Sequence, residues 1–338
     1  MMKKTAGSGN APELLHQISF SFVPSRVLAA AVQLDVFSHI AAGKKTADAI
    51  ARAAKANQRG MRMLLDALTG LELLAKRNNE YSLAPIAARF LVRKSPDYMG
   101  AILEQDGLYE GWMHLADVIR TGKPVRRVEE EEKATQFFPI LVSTLHILNR
   151  DPARRTAQVL GAGSARKPLS VVDVACGSGV WGIAMAEAFP QARITAQDFG
   201  AMLDQTRKYV QRHGLEDRFD YLPGDLKQVD FGKERFDVAL LGNIVHSEGE
   251  RSSRNLLRKL YRALRPGGKL AIIDMIPNDK RTGPPFPLFF ALNMLVNTEA
   301  GDTYTLAEYK QWLNDAGFSR VKTADIGSHS PLIVGIKA

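Results

Sequence analysis

The sequence predicts an α/β architecture in which seven strands, mostly parallel, end in an antiparallel edge hairpin and follow a mainly helical first part. Three observations predict it. From Ser170 onward, short β-rich runs alternate with amphipathic stretches of helical length, the pattern of a parallel sheet with crossover helices. The last two runs are separated only by GSHSP, too few residues for a crossover. The first hundred residues show no such alternation and read as apolar helices.

In chain order, Met1 to Asn10 is polar, and Leu14 to Phe37 is apolar and alanine-rich with Pro24 as an interruption. Thr46 can cap a helix that runs through Lys55, because its hydroxyl accepts from free first-turn amides. Asn57 to Gly60 then turns the chain into a second helix, Met61 to Lys76. Arg77-Asn78-Asn79-Glu80 makes a turn before Tyr81-Ser82-Leu83. Helix, turn, helix and short hairpin is a winged-helix-like order, expected over residues 1–105. Residues 1–100 carry 14 Lys/Arg against 7 Asp/Glu, so +7 of the net charge of +9 belongs to this part. That excess raises DNA as a partner and leaves a DNA-binding regulator with a cofactor-sensing domain as the non-enzyme alternative. A DNA-reading second helix needs polar and basic side chains, whereas MRMLLDALTGLELLAK is apolar on most of its circumference. The expectation is a buried helix, a homodimer through this domain, and no nucleic acid.

Connecting helices are expected over residues 106–165, with a charged break at Glu129 to Lys133, and a catalytic domain over 166–338. Its strand candidates are SVVDVA, ARITAQD, FDYLPGD, FDVALLGN, KLAIIDMI, VKTADI and LIVGIKA. One cysteine, Cys176, excludes an internal disulfide and fits a reducing cytoplasm. No apolar stretch of signal-peptide length follows Lys3 and Lys4. Pro284 to Val296 is apolar but too short to cross a bilayer, which predicts a buried or pocket-lining segment and no membrane partner. No metal site is expected.

Val171 to Gly182, VVDVACGSGVWG, joins a strand to a helix through a glycine turn. Gly177, Gly179 and Gly182 match the dinucleotide spacing G-x-G-x-x-G, where glycines let the backbone approach a ligand. Asp173, four residues before Gly177, separates the readings. A pyrophosphate repels an added negative charge, whereas a ligand with an amino group and a sulfonium favours one. Asp198 closes the strand ARITAQD about twenty residues on, where a carboxylate binds a ribose diol; capping the helix from Ala201 is the alternative. Asp225 and Leu226 follow the next strand and suit an adenine amine and ring, the alternative being an exposed Pro-Gly-Asp turn. His246 follows the strand FDVALLGN on the ligand edge of the sheet. Arg265-Pro266-Gly267-Gly268-Lys269 reads as a tight turn that brings Asp274 to the next strand end.

This order of D-x-A-x-G-x-G, Asp, G-D-L, strand-then-His, R-P-G-G-K-L and a terminal hairpin resembles the class I S-adenosylmethionine-dependent methyltransferases. With the N-terminal helices it resembles their O-methyltransferases that carry a winged-helix-like dimerisation domain, the plant caffeate and hydroxyindole and bacterial antibiotic and phenazine type. The likeness covers nearly the whole chain. It implies a Rossmann-like catalytic domain, S-adenosylmethionine as cofactor and S-adenosylhomocysteine as product. It implies cofactor contacts from Asp173, Gly177, Ser178, Gly179, Asp198, Phe199, Asp225, Leu226 and Asn243. His246 matches the general base, and Asp274 matches an acid that holds it. Ala175 and Cys176 replace glycines of the commonest loop, and Ser247 and Glu248 stand where plant enzymes show an aspartate and a tryptophan. Thr303 falls where those enzymes place a second orienting glutamate, so Glu248 or Glu299 is kept beside Asp274 as a partner for the base.

The chemistry so implied is methyl transfer to a hydroxyl of a small aromatic or polyketide-like acceptor. A phenol with a pKa near 10 is a poor nucleophile at neutral pH, and a neutral imidazole can take its proton as transfer proceeds. The acceptor wall is expected from Phe286 to Val296, especially Asn293 and Met294, and from His146. C- or N-methylation on the same scaffold is the alternative reaction, and an NAD-dependent oxidoreductase rests only on the literal glycine spacing.

Overall fold

The structure is a computed structural model that describes residues 11–125, 131–161 and 168–338. It separates into two compact units, Met1–Asp106 and Gly107–Ala338.

The first unit holds the helices Ala11–Ser19, Phe22–Gln33, Val36–Ala41, Ala47–Ala53, Gln58–Gly70 and Pro85–Phe90, with strands β1 (Leu74–Arg77) and β2 (Glu80–Leu83). Pro24 does not interrupt a helix. It lies in the first turn of Phe22–Gln33, where a missing amide costs nothing because first-turn amides have no intrahelical partner. Thr46 caps as expected, accepting from Ala49 N at 3.3 Å. The second helix starts at Gln58, three residues before the expected Met61, and Asn57 caps it. It ends at Gly70 rather than Lys76, because Leu74–Arg77 pairs with Glu80–Leu83 through a turn in which Asn78 and Asn79 take φ of 49° and 64°. It buries Met61, Leu65 and Leu68 and leaves Met63, Arg62 and Arg59 outside. Its apolar surface is thus a stripe, not most of the circumference. Phe37, Ile50, Leu65 and Leu68 form the centre of this unit's core. Leu14, Leu15, Ile18, Phe20, Phe22 and Ile86 are each about half exposed or more.

In the second unit the helices Asp106–Met113, Leu115–Thr121 and Glu131–Val159 lead to the sheet. Of the charged break expected at Glu129 to Lys133, residues 129 and 130 lie outside the described residues, as does the 165/166 boundary, whereas 131–133 are helical and open Glu131–Val159. Seven strands follow: β3 (Leu169–Val174), β4 (Ala192–Asp198), β5 (Phe219–Pro223), β6 (Phe236–Gly242), β7 (Leu264–Ile273), β8 (Phe318–Ala324) and β9 (Leu332–Lys337). Their order is β5-β4-β3-β6-β7-β9-β8. The first five run parallel, and β9 pairs antiparallel with both β7 and β8. Arg265 to Lys269 is not a separate turn. It is an irregularity within β7, where the register to β6 shifts between Phe236 and Val238.

Alternation along β3 assigns its side chains to two cores. Val172 and Val174 face one, with Leu241, Leu257 and Tyr309. Val171 faces the other, with Trp181, Ile183 and Ile194. The chain winds from β3 toward β5 and then restarts at β6 on the other side of β3. The carboxyl ends of β3 and β6 therefore flank the switch point, where open α/β sheets bind ligands. Among the described residues no helix is long and apolar enough to cross a membrane. Pro285–Asn297, the predicted apolar segment, is a helix that buries Pro287, Met294 and Val296 but exposes Phe286 and Phe289.

Candidate active site

The glycine turn after β3 has Ala175, Gly177 and Gly179 at φ of 50°, 55° and 73°. Left-handed backbone in series turns amides outward, and only glycine adopts it freely. A Cβ on Gly179 would lie 2.9 Å from Thr206 Cγ2, so the turn also sits tight on the helix Gly200–Arg212. Thr206 donates to Gly177 O at 2.7 Å. Ser178 Oγ lies 3.0 Å from His146 Nδ1, and the His146 ring stacks on Tyr209 at 4.2 Å. His146 therefore contacts the glycine turn, whereas the sequence suggested the acceptor wall.

Asp198 closes β4 with both carboxylate oxygens on backbone amides: Oδ2 accepts from Gly177 N at 2.9 Å and Oδ1 from Phe199 N at 2.8 Å. Burial, opposed by these two amides, pushes its pKa up to about 6. The amide it reaches is Phe199 N; the helix beyond, Gly200–Arg212, has Phe199 at its cap and no side-chain capping bond. Gln197, which the sequence reading passed over, is buried beside it. It accepts from Ala175 N at 3.2 Å and donates to Gly224 O at 2.6 Å, linking the loops after β3 and β5. Asp225 folds back on its own loop, accepting from Lys227 N, and Leu226 is buried with its carbonyl held by Lys259 Nζ at 2.8 Å. Beside Leu226 a cavity of about 400 Å³ opens toward Glu248, Gly249 and Ser252.

Asp173 differs from the others. It has no exposed surface, and its Oδ2 accepts from Gly182 N at 2.8 Å in the helix behind the turn. Oδ1 has no partner, and burial pushes the pKa to about 8. Burial thus favours the neutral form of this carboxyl. It supports the turn from within.

At β6 the chain leaves the strand through Asn243, held at φ 59° with its amide on Ile273 O. A non-glycine residue in this region stores strain, of the kind that collects at functional sites. Next comes the helix Val245–Ala263, broken at Gly249 (φ 71°), so His246 stands on a single turn before the kink. Gly249 admits Ala300 closely: a Cβ there would be 2.8 Å from Ala300 Cβ. The same segment donates Asp302 N to His246 O at 2.9 Å.

Asp274 follows β7 immediately and meets His246. Its Oδ1 lies 2.5 Å from His246 Nδ1 and accepts from Met275 N at 2.8 Å. Its Oδ2 accepts from His246 N at 2.9 Å and from Tyr309 OH at 2.8 Å. A carboxylate with these donors only accepts, so Nδ1 bears the ring proton and Nε2 is the free basic atom. Phe290, on the helix Pro285–Asn297, packs perpendicular to the imidazole at 4.9 Å. On that helix Asn293 Oδ1 lies 3.2 Å from Asn297 Nδ2, and Met294 is buried. Glu248 turns the other way, accepting from Ser252 Oγ and facing Lys227 at 3.5 Å. Glu299 is exposed. Thr303 is buried and donates to Pro287 O at 3.2 Å.

Two family models match this chain: an O-methyltransferase domain over residues 112–319 and an O-methyltransferase dimerisation domain over residues 16–93. The chain belongs to the O-methyltransferase family. S-adenosylmethionine is its methyl donor, S-adenosylhomocysteine its product, and methyl transfer to oxygen its reaction. A 3-hydroxy-5-methyl-1-naphthoate 3-O-methyltransferase from Streptomyces sahachiroi is 29% identical, covering 98% of this chain and 99% of that protein. A solved structure of a Nostoc punctiforme protein assigned as an O-methyltransferase is 30% identical, with a TM-score of 0.86 over 98% of this chain and 100% of the other. Human N-acetylserotonin methyltransferase, solved in complex with S-adenosylmethionine, is 25% identical with a TM-score of 0.83 over 99% of both chains.

The residues fit that donor. The glycine turn, the carboxylate at the end of β4 and the cavity against Leu226 suit an amino acid end, a ribose and a ring. Tyr309, Gln197 and Thr206 are the neighbours that motif reading missed. Tyr309 stands in no motif of the sequence, and Gln197 stands only as a polar residue inside the strand run ARITAQD. A buried hydroxyl or amide must find partners, but no spacing names them.

Proposed function

We propose that this O-methyltransferase acts on a phenolic hydroxyl of a small aromatic or polyketide-like acceptor, with His246 as general base and Asp274 as the residue that orients it. The observation that carries this reading is the bond between His246 Nδ1 and Asp274 Oδ1, which fixes the tautomer with Nε2 free. S-adenosylmethionine supplies a methyl group already activated by its sulfonium. The chain then has to align the acceptor and receive one proton. The acceptor hydroxyl gives its proton to Nε2 as its oxygen takes the methyl, and Asp274 favours the imidazolium that results. Phe290 beside the imidazole, with Phe286 stacked on it at 6.0 Å, offers an aromatic surface. Relatives with comparable identity are named for a hydroxynaphthoate and for acetylserotonin, both planar aromatic acceptors.

Asp198 is assigned to the ribose, Leu226 with Asp225 to the adenine, and Gly177 to Gly179 with Ser178 to the methionine end. Phe199 and Asn243 border that groove. The first unit is assigned to homodimer formation. Its match to a dimerisation domain and the half-exposed Leu14, Leu15, Ile18, Phe20 and Phe22 support this, and light scattering at micromolar concentration should give twice the chain mass. A monodisperse monomer would remove that assignment.

The catalytic reading is tested with 3-hydroxy-5-methyl-1-naphthoate and N-acetylserotonin as probe acceptors, measuring S-adenosylhomocysteine release. His246→Ala should lower turnover by about 10²–10⁴-fold with cofactor affinity unchanged. Near-normal turnover of that variant from pH 6 to 9 would show that the base is not His246.

A further inference from the structure

We infer that Tyr309 is a positioning residue of the reaction, which holds Asp274 through its hydroxyl and sets how basic His246 is. The inference rests on the reading of His246 as the base. Tyr309 lies on the helix Leu306–Ala316, has no exposed surface, and donates to Asp274 Oδ2 at 2.8 Å. Asp274 has 2% exposure, so water does not replace this donor. Four donors divide the carboxylate: His246 Nδ1 and Met275 N on Oδ1, His246 N and Tyr309 OH on Oδ2. Two of these are backbone amides and one is the base itself. Tyr309 is therefore the side chain through which a separate element acts on this pair. Thr303, which stands where the plant enzymes place a second orienting glutamate, turns its hydroxyl to Pro287 O.

Each donor on a carboxylate withdraws charge from it. With Tyr309 in place, Asp274 stabilises an imidazolium less strongly than it would alone. The phenol remains a donor throughout, because burial, and then the adjacent Asp274, push its own pKa well above the usual range. Its ring is held by Tyr304 at 6.2 Å and Trp312 at 5.7 Å. The other charged and titratable groups around the pair are Tyr304 and Asp302 from the preceding segment and Glu308 at the helix start. Arg281 bonds Glu308 and approaches Asp302 at 3.9 Å, and Glu250 comes from the helix after β6. Tyr309 is the one of these bonded to Asp274.

The test compares the wild type with Tyr309→Phe, which keeps the ring, and with 3-fluorotyrosine placed at 309, a stronger donor that keeps the bond. The titration of His246 is read by nitrogen NMR of its ring in the S-adenosylhomocysteine-loaded protein, and the acid limb of kcat/KM is read with the probe acceptors. Tyr309→Phe should move both upward by about 0.5–1 unit and lower kcat at pH 7 about 1.5–3-fold, the loss of neutral base that such a shift implies for an ordinary imidazole. Acceptor KM and cofactor affinity should change less than about twofold. Fluorotyrosine should move the titration the opposite way and covers the case in which Tyr309→Phe does not fold. If neither variant moves the NMR titration by more than about 0.2 unit, where a lost donor should move it further, the inference is overturned. Because that readout needs no turnover, it stays decisive even if His246→Ala shows that the base reading itself is wrong.

Discussion

At the end of β4 Asp198 and Gln197 bind backbone, whereas at the ends of β6 and β7 His246 and Asp274 also bind each other through their side chains. Asp198 and Gln197 take amides and a carbonyl of Gly177, Phe199, Ala175 and Gly224. His246, Asp274 and Tyr309 form a chain of side chains drawn from three elements. The first arrangement ties the loops after β3, β4 and β5 together through several separate backbone bonds, so the loss of any one side chain leaves others in place. The second has no main-chain substitute for the imidazole nitrogen. Binding should therefore fail gradually at one end, and chemistry abruptly at the other.

The sharpest break in that comparison is expected at Asp274. Asp274→Asn keeps the volume but gives Nδ1 an amide that can donate, so the tautomer with Nε2 free is no longer enforced. Turnover should fall about 10²-fold or more while calorimetric affinity for S-adenosylhomocysteine holds within about twofold. Loss of cofactor affinity with normal turnover at saturation would reverse the division proposed between the two ends.

Asp198→Ala should do the opposite. Removing charge-assisted bonds to the ribose costs about 1.5–3 kcal/mol, roughly 10–150-fold in affinity for S-adenosylhomocysteine, with turnover at saturating donor changed only a few-fold. The wild type carries a pH signature of the same residue. The carboxylate is the form that accepts from ribose hydroxyls, and its pKa in the free protein is about 6. Affinity should thus be full above pH 7 and decline as pH falls through about 6, by up to about tenfold per unit below it. Asp198→Asn should flatten that decline, and an unchanged pH dependence in this variant would assign it elsewhere.

The smallest effect is expected at Asp173, which is fully buried and bonded to the helix behind the glycine turn. Its folded pKa of about 8 lies above the ordinary carboxyl value of 3.8, so folding favours its protonated form. Stability from this group is full at acid pH and is lost as pH rises toward and through about 8. Asp173→Asn retains an acceptor for Gly182 N and cannot ionise. It should raise the melting temperature relative to wild type at pH 8.5, by a few degrees at most, and leave cofactor affinity near normal. A tenfold loss of affinity would mean that the carboxyl reaches the ligand after all.

Much of this molecule was determined by sequence alone. The seven strand runs, the terminal hairpin, the glycine turn and the acid at the end of β4 are local patterns, set by alternation, by φ-permissive residues and by strand length. Such patterns are read correctly because the interactions that cause them lie within a few residues. Tertiary structure alone decided where Pro24 and Leu74–Arg77 belong, since a first-turn proline and a strand partner are matters of register. It also decided that Asp173 faces inward, that His146 contacts Ser178, and that Tyr309 reaches Asp274. Those three depend on which buried donor meets which buried acceptor across separate elements. Burial makes such pairing obligatory, and the partner is chosen by packing.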